Sequence, residues 1–395
     1  MYNDYKFSYA NIMQSIVEKQ FVFKSGVKIY KKINRIIILI SLCICISQFT
    51  SCHKRGFPTL LEIKNNLGGG TNVSLLEHTW TSPEDLLNTD LIPKLNLIAQ
   101  QGFKTVRLPV AFDLFVYPNS STLQPQLLTK LKEIYYACYN LKLHLIITYH
   151  YGIFNDNSLY NEEINHVSWV WKQVQKEFKG HGYEYLFFEL YNEPTMSAYR
   201  WKLTAEKLIS YIRAEDVNRI YVVGGTNFNG LNDLMDMGKL NDNKIIYTFH
   251  FYEPYIFTHQ GADWTSDKTY MKGFPYPYKR RKMPPMSKEA LGTSVEKDYN
   301  KYYYEGTKSY LNDRLNQVAN FCAKNDMLVI CTETGVIDIA DENSRANYLK
   351  DVTLSMYQYH IPCMLWDYDQ RFSIHKDSIT IIPSLNKWLK KSKRG

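Results

Sequence analysis

Glycine and proline are scarce in this chain, 19 and 14 of 395 residues, which excludes a collagen-like, low-complexity or wholly disordered polypeptide. Cysteine is sparse and unpatterned: none of the seven stands in a C-x-x-C spacing, and no H-E-x-x-H or paired-histidine helix occurs. Neither a zinc site nor a dithiol redox centre is expected, and no metal or cofactor is assigned. A G-x-G-x-x-G fingerprint is missing too. Gly68-Gly69-Gly70 has the wrong spacing and precedes its strand, which argues against an open, doubly wound dinucleotide-binding sheet. Apolar runs fall short of the about 20 residues that a transmembrane helix needs. The folded part also lacks a strong basic excess: the formal charge is +8, but seven Lys and Arg against Asp4 and Glu18 crowd into residues 1–51. Most of the surplus therefore sits ahead of the folded part and not in the stripe that nucleic acid selects, so no nucleic-acid partner is expected.

What is present is globular material with an aromatic bias. Hydrophobic residues make up 45% and charged residues 22%, enough for a packed core, and the length suits one large barrel or two modest domains. Aromatics reach 15%, with 32 Tyr, 19 Phe and 7 Trp, in keeping with a protein that handles sugars or other flat apolar faces.

Residues 36–49 form an apolar run of about 14 residues behind Lys28, Lys31, Lys32 and Arg35, the length of a signal-peptide core. It ends in Phe49-Thr50-Ser51-Cys52, which resembles the lipobox of bacterial lipoproteins. The resemblance implies a mature N-terminus at Cys52, acylated on its sulfur, and export to the bacterial cell envelope with a lipid anchor, periplasmic or at the cell surface. A start at Val27 would give a well-proportioned signal, so residues 1–26 are expected to be a gene-calling artefact. The chain then divides into a leader, 1–51, a short tether, 52–66, and a catalytic domain, 67–395, acting as a monomer. The four remaining cysteines, Cys138, Cys322, Cys331 and Cys363, fall on expected core elements and are read as unbridged thiols.

From residue 68 onward, short Val-, Ile- and Phe-rich runs alternate with segments of helical period. The strands expected are 70–74, 105–110, 143–149, 185–190, 220–224, 244–249, 327–332 and 362–367; helices are expected at 83–101, with Pro83 behind Ser82, at 125–141 and at 344–359. Eight strands, each followed by a helix, make a single (β/α)8 TIM barrel. The longest connection, 253–326, holds a further helix near 306–324.

Such barrels carry their chemistry at the C-terminal ends of the strands. There stand Arg107, His150, Asn192 with Glu193, His250 with Tyr252, Glu333, and Trp366. Glu193 and Glu333 thus reach one rim from strands that are not neighbours, which is what a glycosidic bond requires: one carboxyl group to protonate the leaving oxygen, a second to attack or to activate water. Taken singly, Arg107 could equally pair with the inward-facing Glu189 one layer below Glu193, and the two histidines could be structural.

The segment Leu186-Phe187-Phe188-Glu189-Leu190-Tyr191-Asn192-Glu193-Pro194-Thr195 resembles the signature around the acid/base Glu of the family 5 glycoside hydrolases of the cellulase type. With the other strand ends, the resemblance covers residues 67–366. It implies Glu193 as acid/base and Glu333 as nucleophile, surrounded by Arg107, His150, Asn192, His250, Tyr252 and Trp366. Family members often carry an Asp before the strand-three His and a second His after it, where this chain has Thr148 and Tyr151. The roles make physical sense. Arg107 is a permanent forked cation able to hold Glu333 ionised; a Tyr252 hydroxyl can donate to the same carboxylate. Asn192 can offer an amide to a sugar 2-hydroxyl, and Trp366 a floor for the ring. Glu193 should be the more desolvated carboxyl, with raised pKa.

Residues 250–264, ending in Trp264, look like a stretch of bacterial endoglucanase-type members, which favours β-1,4-glucan as substrate and partner. Mannan, xyloglucan and mixed-linkage glucan stay open. Trp264, Phe274, Tyr276 and Tyr278 could be stacking platforms or the core of their own loop. A non-catalytic, glycan-binding surface lipoprotein is the reading from another class, and possession of both Glu193 and Glu333 argues against it.

Overall fold

The computed structural model describes residues 58–152, 154, 160–265, 271–375 and 380–392. The leader, Cys52 and the start at Val27 lie outside the described residues. Eight parallel strands, β1 (Gly69–Asn72), β2 (Thr105–Val110), β3 (His144–Tyr149), β4 (Leu186–Glu189), β5 (Tyr221–Gly224), β6 (Ile245–His250), β7 (Val329–Thr334) and β8 (Cys363–Leu365), pair in sequence order, and β8 closes on β1 to complete the (β/α)8 barrel. All eight are buried along their whole length, the pattern that parallel strands covered on both faces require.

The barrel interior is built in layers. At its base, alternate residues Ile146, Phe187, Val222, Ile246, Ile330 and Met364 form an apolar floor together with Ile63 and Leu67. Ile63 belongs to a helix, Leu60–Asn66, started by a capping box between Thr59 and Glu62. The segment expected to be a tether therefore contributes a helix that packs on the bottom of the barrel. One layer up the inward residues turn polar: Thr248 and Thr332 share a hydrogen bond of 2.8 Å, and the Asn72 amide donates to the Thr332 carbonyl at 2.9 Å. Above them lies the rim.

The helix expected over 83–101 is two, Pro83–Asn88 and Ile92–Gln101. Pro93 explains the break. It has no N–H to give the carbonyl of residue 89, and its ring would clash there; Thr89 accordingly leaves the helix at ψ 122°. The long connection after β6 carries helices Ser294–Glu305 and Lys308–Lys324, and its Phe274 and Tyr276 are buried, packed with Tyr302 and Tyr348. With Tyr278 against the same Tyr302, these rings are core, and only Trp264 of the four stays open, at 53% exposure. Cys138, Cys322, Cys331 and Cys363 are buried free thiols. Among the described residues no helix is long and apolar enough to cross a membrane.

Candidate active site

Arg107 is the hub of the rim. Its side chain is fully buried, and every guanidinium N–H is spent: Nε and Nη2 donate to the two oxygens of Glu189 at 2.6 and 3.0 Å, Nη1 to Glu333 Oε1 at 2.6 Å and Asn72 Oδ1 at 2.9 Å, and Nη2 also to Asn192 Oδ1 at 2.7 Å. Both readings of Arg107 hold at once, since it grips the interior Glu189 with one edge and Glu333 with the other. Burial works against the charge, but Glu189 and Glu333 outweigh it and raise the guanidinium pKa further.

Glu333 reaches this cation because β7 is irregular. His250 pairs with Glu333 while the preceding Phe249 pairs with Cys331, and the register against β8 slips over the same residues. The extra residue lets Thr332 and Glu333, consecutive in sequence, both find partners inside the barrel, Thr332 at Thr248 and Glu333 at Arg107. Bulges next to functional sites re-aim side chains in this way. The second oxygen of Glu333 accepts from the Tyr252 hydroxyl at 2.9 Å. Burial pushes the Glu333 carboxyl upward and Glu193 adds to that, while His250, Arg107 and Tyr252 pull it back.

Glu193 sits past the end of β4 at φ 51°, a left-handed conformation that a non-glycine residue holds only at a cost. Its Oε1 lies 2.7 Å from His250 Nδ1, and burial lifts its pKa to about 7 despite Arg107. The rise and its cause, burial, are as expected; the ranking of the two carboxyls is not. The Glu193 side chain is 29% exposed against 6% for Glu333, so Glu193 is not the more buried of the two. Glu333 has more groups drawing its pKa back down, His250 first, then Arg107 and the Tyr252 hydroxyl, where Glu193 has Arg107 alone. Burial also drives His250 down to about 4, against the pull of Glu333, which leaves a neutral ring.

His150 is buried and stacks on Trp366, ring centroids 5.9 Å apart and planes 5° from parallel; its Nδ1 has no hydrogen-bond partner among the described residues. Asn192, its Oδ1 taken by Arg107, keeps its Nδ2 to offer. Trp366 is fixed by its own N–H to the Thr334 carbonyl at 2.8 Å, and a Cβ on Gly335 would stand 2.0 Å from its carbonyl oxygen, so only glycine fits at 335. Trp264 stands farther out, with the Arg371 guanidinium 5.2 Å from its ring centre. The eight residues read from the strand ends are thus brought together, with Trp264 on the outer edge.

Three contributors escaped the sequence. Asn72 ends β1, but that strand is Gly-Gly-Thr-Asn and offers no apolar run against which a polar end would stand out. Tyr151, 50% exposed at φ 58°, packs edge-on against His150 at 4.2 Å. Asn229 touches His250 from a loop with no pattern of its own. Glu193, His250 and Glu333 offer atoms all within 4.8 Å of one another, as a cation site would. The 2.7 Å from Nδ1 to Oε1 is nevertheless a hydrogen-bond separation, shorter than the about 3.3 Å between two ligands of a tetrahedral ion at about 2.0 Å.

The family model described as cellulase, glycosyl hydrolase family 5, matches residues 65–371. Endoglucanase 3 of Fibrobacter succinogenes is 29% identical over 322 residues, 75% of this chain and 48% of that protein. Endoglucanase C of Acetivibrio thermocellus is 27% identical over 296 residues, 72% of this chain and 85% of that one. The chain therefore spans about half the length of the first relative. A solved endoglucanase from the hyperthermophile Thermotoga maritima superposes with a TM-score of 0.70 at 21% identity, over 84% of this chain and 100% of that one, a likeness of fold.

Proposed function

Because the chain belongs to the cellulase family, glycosyl hydrolase family 5, we propose that it is a retaining endo-hydrolase of β-1,4-linked glucan, with Glu333 as nucleophile and Glu193 as acid/base. The observation that carries this reading is the pair itself. One carboxyl oxygen of Glu193 lies within 4.8 Å of one of Glu333, an approach in keeping with the about 5–5.5 Å between groups in double displacement and closer than the about 6.5–9.5 Å that leaves room for an inverting water. The endoglucanase names of the relatives favour glucan.

In the first step Glu333, its oxygens held by Arg107 and Tyr252, attacks the anomeric carbon while Glu193 gives its proton to the glycosidic oxygen. In the second, ionised Glu193 takes a proton from water, which displaces Glu333 and releases the β-anomer. Asn192 Nδ2 meets the sugar 2-hydroxyl, Trp366 backed by His150 floors the ring at the cleavage point, and Trp264 offers a stacking face beyond it. The protein acts as a monomer held to a bacterial envelope by acyl chains on Cys52; mass spectrometry of membrane-extracted protein should find a lipidated N-terminal Cys52, and an intact peptide spanning Phe49 to Lys54 would overturn the anchor.

The deciding experiment is azide rescue with an aryl cello-oligosaccharide of good leaving group. Glu333→Ala should be inactive and yield the α-glycosyl azide, whereas Glu193→Ala should yield the β-azide. Exchanged anomers would reverse the two roles, and turnover by both variants without azide would sink the mechanism.

A further inference from the structure

A neutral imidazole carries one proton, and where it sits decides what His250 can do for Glu193. On the side away from Glu193 the ring meets Asn229, whose Nδ2 lies 3.2 Å from Nε2, and the two residues are also tied by their backbones, the main-chain N–H of His250 donating to the main-chain carbonyl of Asn229 at 2.8 Å. With the Asn229 amide nitrogen turned to the ring, Nε2 accepts and the proton sits on Nδ1. We infer that Asn229 is a positioning residue for the acid/base step: it confines the His250 proton to Nδ1, which donates to Glu193 Oε1 and leaves Glu193 Oε2 to carry the proton bound for the glycosidic oxygen. This rests on the reading of Glu193 as acid/base.

The backbone is arranged around that contact. Asn227, Phe228 and Asn229 all take left-handed conformations, at φ 49°, 62° and 52°, three strained residues in succession. Gly224, at the end of β5, leaves the room: a Cβ there would lie 2.5 Å from Asn229 Oδ1. Asn229 is fully buried, yet its Oδ1 has no hydrogen-bond partner among the described residues.

The titratable groups around the pair come from five elements. Arg107 of β2 opposes a charged His250, and Glu189 of β4 and Glu333 of β7 favour one. His150, at the end of β3, is itself held neutral, by burial first and then by Arg107 and His250. The hydroxyls of Tyr151, and of Tyr252 and Tyr255 beyond β6, stand in the field of Glu193, all with pKa values raised by burial and so uncharged. Burial wins at His250, and the ring is neutral only as long as nothing negative meets Nε2.

Asn229→Asp supplies that negative group. The carboxylate takes the proton onto Nε2, an imidazolium becomes stable between it and Glu193, and Glu193 loses its own proton at lower pH. The alkaline limb of kcat/KM on a soluble cello-oligosaccharide should move down by about one pH unit or more, a roughly tenfold loss on that limb, while the acid limb keeps at least its position. Imidazole 15N NMR on the unaltered protein, with the signal assigned by its loss in His250→Gln, should show a protonated Nδ1 and a bare Nε2. A proton on Nε2, or an alkaline limb that does not move in a folded Asn229→Asp, overturns the inference. The NMR result is independent of turnover, so retained activity in Glu193→Ala would sink the acid/base role without touching the tautomer.

Discussion

Arg107 shows how little tolerance a residue has when all its donors are committed. Lysine keeps the charge but not the fork, so Arg107→Lys cannot hold both the bidentate pair with Glu189 and the single bond to Glu333. Breaking a buried pair costs about 3–5 kcal/mol, and the variant should melt markedly lower and lose at least about 100-fold in kcat/KM, about 2.7 kcal/mol of barrier; near-normal turnover would show that Glu333 is oriented by Tyr252 alone. Glu193 titrates in the opposite sense to most carboxylates. Its pKa is about 7 in the fold against 4.5 for a free side chain, so between those values the unfolded chain is ionised and the folded one is not. Stability therefore falls as pH rises from about 4.5 to about 7 and stays reduced above, by roughly 3 kcal/mol at most. Glu193→Gln removes this, and differential calorimetry should find it inactive yet more stable than the unaltered protein at pH 8, the gap closing towards pH 4. An equal gap at both pH values would assign the gain to packing.

Among the elements, β7 and the end of β8 are where the sequence was least informative. Strand positions were legible because buried parallel strands are runs of β-branched and aromatic residues, and the candidate site positions followed from the rule that polar residues just past such runs face one rim. The bulge that turns both Thr332 and Glu333 inward leaves no mark in the pattern, which alternates on paper as though Glu333 pointed away. Pro93 splits the helix although the apolar period continues across it, so the pattern alone reads as one element. Asn229 could not be found at all: its role depends on three left-handed residues that composition does not announce. Gly335 offers a test at this scale. Gly335→Ala drives a Cβ into the Trp366 carbonyl, so Trp366 must move off His150. Overpacking of this kind costs about 1–3 kcal/mol, and KM for oligosaccharides should rise several-fold with a lowered melting point; unchanged KM would mean that Trp366 is not the floor of the cleavage site.

At the scale of the molecule, Thr59–Gly395 form one compact unit, whose base is closed by the Leu60–Asn66 helix. A chain beginning at Pro58 should keep its melting temperature and activity, while one beginning at Gly68 uncovers the floor of Ile146, Phe187, Ile246 and Ile330 and should aggregate or melt much lower, as static light scattering and calorimetry would record. Equal behaviour of the two chains would make the helix an ornament. The hub at the other end of the barrel has a kinetic consequence. Arg107 joins Asn72, Glu189 and Glu333, the last 226 residues away in sequence, so the reactive constellation exists only once the first, second, fourth and seventh strands have met. No early intermediate or half-barrel fragment can hold it. On dilution from denaturant, hydrolysis should return with the slowest structural phase and in step with it, never ahead, so that recovered turnover is a clock for the moment the ring of strands shuts.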